Sequence, residues 1–225
     1  MTRPLRPGEP WGRAPSGQPD VEVAGDDADL AAVATRRRGA RVRFRPSPTS
    51  DLARALGLAP GSGEADATTE VAIDALAIGP EDGADLAVNA VVLGPPPDRL
   101  RWNARGADIT VRVDGRPWFT GRATTVVVAN GQFLRRADLI PRGHPGDGWA
   151  EVQVYALARR TRAGMRRRLP TGTHVPHPDV RTGRVRRVEV DVAGRRLPVE
   201  VDGHRRGRTD RLAVTLAPAA LRLLV

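Results

Sequence analysis

Gly146-Asp147-Gly148 is the tripeptide in this chain best suited to chemistry. Two glycines beside an aspartate let the backbone fold tightly, so that carbonyl oxygens and a carboxylate converge on one spot. An oxygen-ligated Mg²⁺ or Ca²⁺ loop is built that way, and so is an ordinary polar turn. Other chemistries are poorly supplied. Cysteine is absent, which removes disulfide frameworks and thiolate metal sites. His144, His174, His177 and His204 are scattered, and the two that lie three apart are held in a proline-rich loop, so no zinc spacing emerges. No serine nucleophile elbow is present either.

The elements that must position this loop are strands. Ala123–Ala129 is an apolar, β-branched run that reads as a buried strand, halted at Asn130-Gly131, and EVQVYAL from Glu151 starts the next. From Glu70 onward the chain offers short alternating strands: VAIDALAI, LAVNAVVL, ITVRV, RPWFT, RRVEVDV, LPVEV and LAVTL. Asp114-Gly115 and Gly194-Arg195 mark hairpins between them. Such spacing predicts an antiparallel sandwich. Ala158–Leu169 reads as a helix with a dense arginine face, either a solvated edge or a clamp for phosphate headgroups.

Upstream the pattern changes. Val21–Ala24 is a short strand broken by Gly25-Asp26-Asp27, and Leu30–Ala34 is a helix capped by one of the preceding aspartates. Val42–Phe44 is a further strand, followed by the loop RPSPTS and a helix from Asp51 to Leu56 that stops at Gly57. This is the β-turn-α-β-turn-α order of a parallel α/β unit. The expected fold is therefore α+β, mainly β. A Pro/Gly-rich, disordered or loosely packed arm covers 1–20, an incomplete α/β unit 21–58, a linker 59–69 and an antiparallel β-sandwich 70–225.

VVVANGQF, followed by a loop and DGW-x-x-V, resembles the second domain of diacylglycerol kinase-type lipid kinases, in which VVVANGQ-x-x-GGG and DG-L-L-D-V recur. The likeness continues at Val201-Asp202-Gly203, where that family has DGE, and in the closing strand LAPAALRLLV. It is strong after Thr124 and faint before Thr69. The resemblance implies an ATP-dependent phosphotransferase acting on a lipid hydroxyl, with ATP as co-substrate and Mg²⁺ in the loop. Asp147 and main-chain carbonyls near His144 and Trp149 would hold that ion. It also implies a catalytic pair at the DGE position, here Asp202 and His204. Histidine there serves as a base near neutral pH or sits exposed on a hairpin turn.

The family's nucleotide motifs, GGDGT and P-L-G-T-x-N-D-F-A-R, correspond to Gly25-Asp26-Asp27-Ala28-Asp29 and to Arg45–Arg54, which contains Thr49 and Asp51. Gly25, Asp27, Ala28, Asp29, Thr49 and Asp51 are thus the implied nucleotide-binding positions. Asp26 stands where a glycine is expected and Asp29 where a threonine is. At ~4 Å, like charges repel by several kcal/mol at intermediate dielectric, so both changes oppose phosphate. The strand-helix-strand unit that precedes GGDGT in the family has only the Pro-rich arm in its place, and Pro95-Pro96-Pro97 replaces a helix that lines the family's lipid-side cleft. The expected outcome is a weakly active or inactive lipid kinase relative, with a non-catalytic module for lipid, membrane or protein as the alternative.

All 36 basic residues are arginine, and the net charge is +10. Aromatic residues make up 4%, too few for a base-stacking platform, which argues against nucleic acid. An anionic membrane surface is the better electrostatic partner for a lipid-modifying chain. No stretch approaches the ~18 apolar residues of a membrane span, and the first residues lack the apolar core of a secretory signal. A cytoplasmic protein, peripheral at the membrane, is expected.

Overall fold

The computed structural model describes residues 12–61, 69–79, 85–141 and 143–225. Its first elements are β1 (Gly12–Arg13), β2 (Val21–Gly25), α1 (Asp27–Arg36), β3 (Ala40–Pro46) and α2 (Asp51–Ala55). β2 and β3 pair in parallel, from Val21 against Val42 to Gly25 against Pro46, the pairing expected of a βαβ unit. Leu30 and Ala34 of α1 share a core with Val42, Phe44 and Leu52, all almost fully buried. Each Leu, Val or Phe side chain among them contributes roughly 1.5–3 kcal/mol by leaving water.

The arm before this unit is better fastened than its composition suggests. β1 pairs with the strand that starts at Glu70. Glu70 also accepts from Ser16 Oγ at 2.6 Å, from Ser16 N at 3.0 Å and from Arg13, whose guanidinium forms an ion pair with it. The expected loose arm is thus not seen over residues 12–20, while residues 1–11 and most of the expected linker lie outside the described residues.

The remaining strands are β4 (Glu70–Ile78), β5 (Asp85–Ala87), β6 (Ala90–Leu93), β7 (Ala107–Val113), β8 (Arg116–Ala123), β9 (Thr125–Ala129), β10 (Phe133–Leu134), β11 (Ala137–Asp138), β12 (Ala150–Tyr155), β13 (Val180–Val185), β14 (Arg187–Ala193), β15 (Leu197–Val201), β16 (His204–Thr209) and β17 (Arg211–Leu224). One sheet runs β1-β4-β17-β14-β7-β8, with β5 on β4 and the β3-β2 pair on β17; the other runs β13-β12-β9-β6-β15-β16. Their inner faces meet over Val91, Leu93, Val111, Val126, Val152 and Val190. Alternate residues point inward, the pattern of an antiparallel sandwich. The mainly β, α+β class expected from the sequence holds.

Three local expectations need correction. LAVNAVVL is two strands: β5 lies in one sheet and β6 in the other, and the chain crosses between them at Val88-Asn89. A continuous apolar run hides such a crossing, because both halves are buried. Gly194-Arg195 does not close a hairpin, since β14 pairs with β17 and β7 while β15 pairs with β6 and β16. It is a second crossing. The helix expected over Ala158–Leu169 is a 3₁₀ turn at Arg159–Thr161, then α3 (Arg162–Arg168) and a further 3₁₀ turn at Leu169–Thr171. Met165 and Leu169 bury its apolar side against the outer face of the second sheet, beside Tyr155 and Leu100.

β17 is the longest strand and belongs to both cores. Leu212 and Val214 face the sandwich interior, whereas Leu221 and Leu223 face the α/β unit. The change occurs at a bulge between Ala217 and Leu221, where Ala219 takes a φ of 47°. Past the bulge, β17 pairs in parallel with β3, so the sheet is continuous from sandwich to α/β unit.

Candidate functional site

The β15–β16 hairpin, the crossing at Val88–Ala90 and the first turns of α1 and α2 come together where the α/β unit meets the sandwich. Asp202 occupies the hairpin turn with a φ of 47°. Its buried carboxylate accepts three backbone N–H groups, from Val88, Asn89 and Ala90, each at 2.9 Å. Burial pushes its pKa up to about 6 against those hydrogen bonds, with the Asp26 charge adding to the rise. Asp202 thus ties the hairpin to the crossing. His204 starts β16 and is half exposed; its Nε2 lies 3.3 Å from Asp26 Oδ2. The structure therefore separates the expected pair: Asp202 points inward and His204 points across the cleft to α1.

Asp27 is also buried. It accepts from Ser50 Oγ at 2.6 Å and from the N–H groups of Asp51 and Leu52 at 3.2 Å. Burial, with Asp202 and Asp51 nearby, pushes it up to about 8. Ser50 in turn accepts from Ala53 N and caps α2. Asp51 receives the N–H of Arg136 at 2.8 Å and that of Arg135. Burial raises its pKa, opposed by those two hydrogen bonds. Three aspartates so close would repel if all were ionised; the raised values of Asp27 and Asp202 relieve that repulsion.

Asp26 and Asp29 stand on the first turn of α1. Asp26 Oδ1 accepts from Ala28 N, and Asp29 Oδ2 from Asp26 N, both at 2.9 Å: a reciprocal capping box. Gly25 has no room for a side chain, since a Cβ there would lie 1.9 Å from Asp29 Oδ2. The N–H groups and positive helix end that would otherwise attract an anion already hold two carboxylates. Thr49 lies in the exposed turn before α2, and its hydroxyl meets Ser47 Oγ at 2.7 Å.

Several residues here gave no sign of their role in the sequence. Asn130, fully buried, donates to the carbonyls of Asp74 and Val88 at 2.8 and 3.0 Å. It binds β4 to the sheet crossing, which gives the Asn-Gly of the motif a structural reason. Arg135 and Arg136 take left-handed φ values of 48° and 64° at positions where the resembled family has glycine. Arg135 bonds Asp98 at 2.7 and 2.9 Å and forms an ion pair with buried Glu200. Its guanidinium thereby bridges the segment after Pro95-Pro96-Pro97 to β15.

The 143–149 loop is anchored by Asp74, which accepts from Gly148 N and from Ala219 N at 2.8 Å each. Asp147 accepts from Trp149 N at 3.0 Å, closing a local turn, and forms an ion pair with Arg184. Arg184 and Arg186 lie over the Trp149 ring at 5.5 and 4.8 Å. His144 Nδ1 accepts from Gly146 N at 3.3 Å. Glu151 is 3.5 Å from Arg184; burial and the Asp147 charge push its pKa up to about 8. Among the described residues no group of three acidic or histidine side chains could hold a metal ion. A guanidinium already stands on the one expected carboxylate ligand, so this donor set does not fit Mg²⁺.

A cavity of about 960 Å³ opens between α1 and the strands of both sheets. Ala31, Ile78, Leu86, Val190, Val201 and Leu212 form its apolar wall, and arginines stand around it. Among the described residues no helix is long and apolar enough to cross a membrane.

Residues 100–225 match the family described as the YegS C-terminal NAD kinase beta sandwich-like domain. No curated protein matched the sequence. Among solved structures, a candidate diacylglycerol kinase from Bacillus anthracis str. Sterne aligns with a TM-score of 0.73 at 14% identity, over 91% of this chain and 76% of that one. The yeast NADH kinase complexed with NADH aligns at 0.57 and 10% identity, over 92% and 62%. An NAD kinase from Archaeoglobus fulgidus in complex with ATP aligns at 0.52 and 13%, over 92% and 78%. At these identities the likeness is one of fold, and that fold is lipid kinase- and NAD kinase-like.

Proposed function

Because the chain belongs to the family of the YegS C-terminal NAD kinase beta sandwich-like domain, we propose that it is a diacylglycerol kinase-like protein that binds a lipid and transfers little or no phosphate. The observation that carries this reading is the capping box of α1. Asp26 and Asp29 occupy the helix end that must receive the phosphates of ATP if the family's nucleotide mode is kept. Each lost contact to a transferring phosphoryl group costs roughly 10²-fold in rate. The hydroxyl-side carboxylate is also less available, because Asp202 already accepts three backbone N–H groups.

The cavity beside α1 supports lipid binding. Its volume of about 960 Å³ is at the upper end of the ~300–1,000 Å³ typical of small-molecule sites. Arg36 and Arg206 of its lining have no ion pair among the described residues, which suits an anionic or strongly polar headgroup. In this reading the protein works at a cytoplasmic membrane surface and meets its lipid there.

A second reading, a working kinase with an unfamiliar nucleotide site, draws on the retained Asp27 and Asp202. One experiment separates the two: radiolabelled ATP with diacylglycerol, ceramide and sphingoid substrates, run beside equilibrium binding of a soluble short-chain phosphatidic acid. Binding without phosphorylation supports the proposal. Robust phosphorylation that is lost in Asp202→Asn would refute it.

A further inference from the structure

Trp102 is the one large apolar side chain standing out in solvent among the described residues, with 69% of its surface exposed. Its loop is not loosely hung. Arg162, itself buried, donates from one guanidinium nitrogen to the carbonyls of Arg101, Trp102 and Ala104 at 3.2, 2.9 and 2.8 Å. From its other two nitrogens it donates to the Leu157 carbonyl at 3.3 Å. One buried cation thus fixes the loop to the start of α3 and holds the indole outward.

The surroundings are basic, with Asp98 and Asp108 at the two ends of the loop and Asp98 3.8 Å from Arg99. Residues 99–107 contain three arginines and no Asp or Glu, and residues 156–178 contain six and none. Arg101, Arg105, Arg159, Arg160 and Arg167 are exposed and form no ion pair among the described residues. Arg195 reaches the Arg105 carbonyl at 3.5 Å and extends the patch. None of these residues lines the cavity beside α1.

We propose that the Trp102 loop and the arginines at the start of α3 form a docking surface for an anionic phospholipid bilayer. An indole sits well at headgroup depth, its ring among the upper acyl carbons and its N–H toward water. Guanidinium groups around it meet lipid phosphates directly. A nucleic acid would use the same charge but needs several rings to stack on, and this patch presents one. The surface rests on the lipid-binding reading for its purpose: it brings the protein to the bilayer from which the cavity is filled.

The test is co-sedimentation with phosphatidylcholine vesicles, with and without phosphatidylglycerol, at low and raised salt. Anionic vesicles should bind at least ~10-fold more tightly than neutral ones, and salt should erode the difference. Trp102→Ala, which removes a solvent-exposed ring and leaves the fold intact, should weaken anionic-vesicle binding by roughly 10-fold. Arg159→Gln with Arg160→Gln should do the same, while Arg37→Gln with Arg38→Gln, an equal charge change on exposed residues at the end of α1, should not. Equal losses in the two arginine pairs, no effect of Trp102→Ala, or full displacement of vesicles by single-stranded DNA would each overturn the proposal. If the docking surface is real but the cavity reading fails, vesicles still bind through Trp102 while soluble short-chain phosphatidic acid does not. If both hold, Trp102→Ala loses the vesicles and keeps the soluble lipid.

Discussion

Replacing Asp27 by asparagine should remove a large part of the protein's pH-dependent stability between pH 5 and 7. In the folded protein burial and the neighbouring Asp202 and Asp51 push the Asp27 carboxyl up to about 8; in the unfolded chain it titrates near 3.9. The folded state therefore binds about one more proton than the unfolded state across this interval. A folded-state value above the unfolded one gives stability that is complete below the unfolded pKa and is lost as pH rises through about 8. At 1.36 kcal/mol per pH unit per proton, the loss from pH 5 to 7 is about 2.5 kcal/mol. With a urea slope near 2 kcal/mol/M, the unfolding midpoint of the parent chain should fall by about 1.2 M on this account alone. Asparagine keeps an acceptor for Ser50 Oγ and Leu52 N but cannot titrate. The quantity to measure is the difference between the two pH-induced shifts, parent minus Asp27→Asn, which cancels the carboxylates common to both. If both proteins lose the same stability from pH 5 to 7, Asp27 is ionised in the fold and the account of the three-aspartate cluster is wrong.

Asp74→Ala strips two backbone N–H groups, Gly148 and Ala219, of their acceptor; a cost of about 3 kcal/mol should lower Tm by roughly 6–12 °C, and a change of a degree or less would refute the anchor. Millimolar Mg²⁺ should leave Tm unchanged, because Arg184 already neutralises Asp147; a rise that Asp147→Asn abolishes would show a cation displacing the guanidinium. Asp26→Ala should cost about 1 kcal/mol through loss of the α1 cap, whereas Asp26→Gly should cost only a few tenths, so chemical denaturation of the two variants separates capping from any other role.

Much of the fold was legible because apolar alternation and turn residues are local signals. The β-branched run ending at Asn130-Gly131 was found for that reason, as were the Asp114-Gly115 hairpin and the parallel α/β order upstream. What local pattern cannot carry is the choice of partner. Val88-Asn89 and Gly194-Arg195 are sites where the chain changes sheets, and a turn signal does not say which sheet the next strand joins. β16 was missed because HRRGRT is polar and almost wholly exposed, so it has no alternation to read. At the site, the resemblance pointed to Asp202 as catalytic and to Asp27 and Asp51 as nucleotide-binding positions, and the structure brings the three close together. Their bonding was not legible, since it depends on backbone N–H groups 24 to 114 residues away. The neutralising Arg184 lies 37 residues from Asp147 and carries no motif.

β17 also sets an order of events during synthesis. β2 and β3 form a two-stranded parallel pair whose next neighbour in the sheet is β17, and that pairing is made by Leu221–Leu224. About 175 residues separate the end of β3 from this partner, which at ~5–20 residues per second is roughly 10–35 s of translation. Throughout that time Val42 and Phe44 wait with an open sheet edge. A chaperone that covers such an edge should therefore bind the nascent chain early and leave only when β17 has been made, and a pause in translation within the sandwich should raise the yield of aggregates.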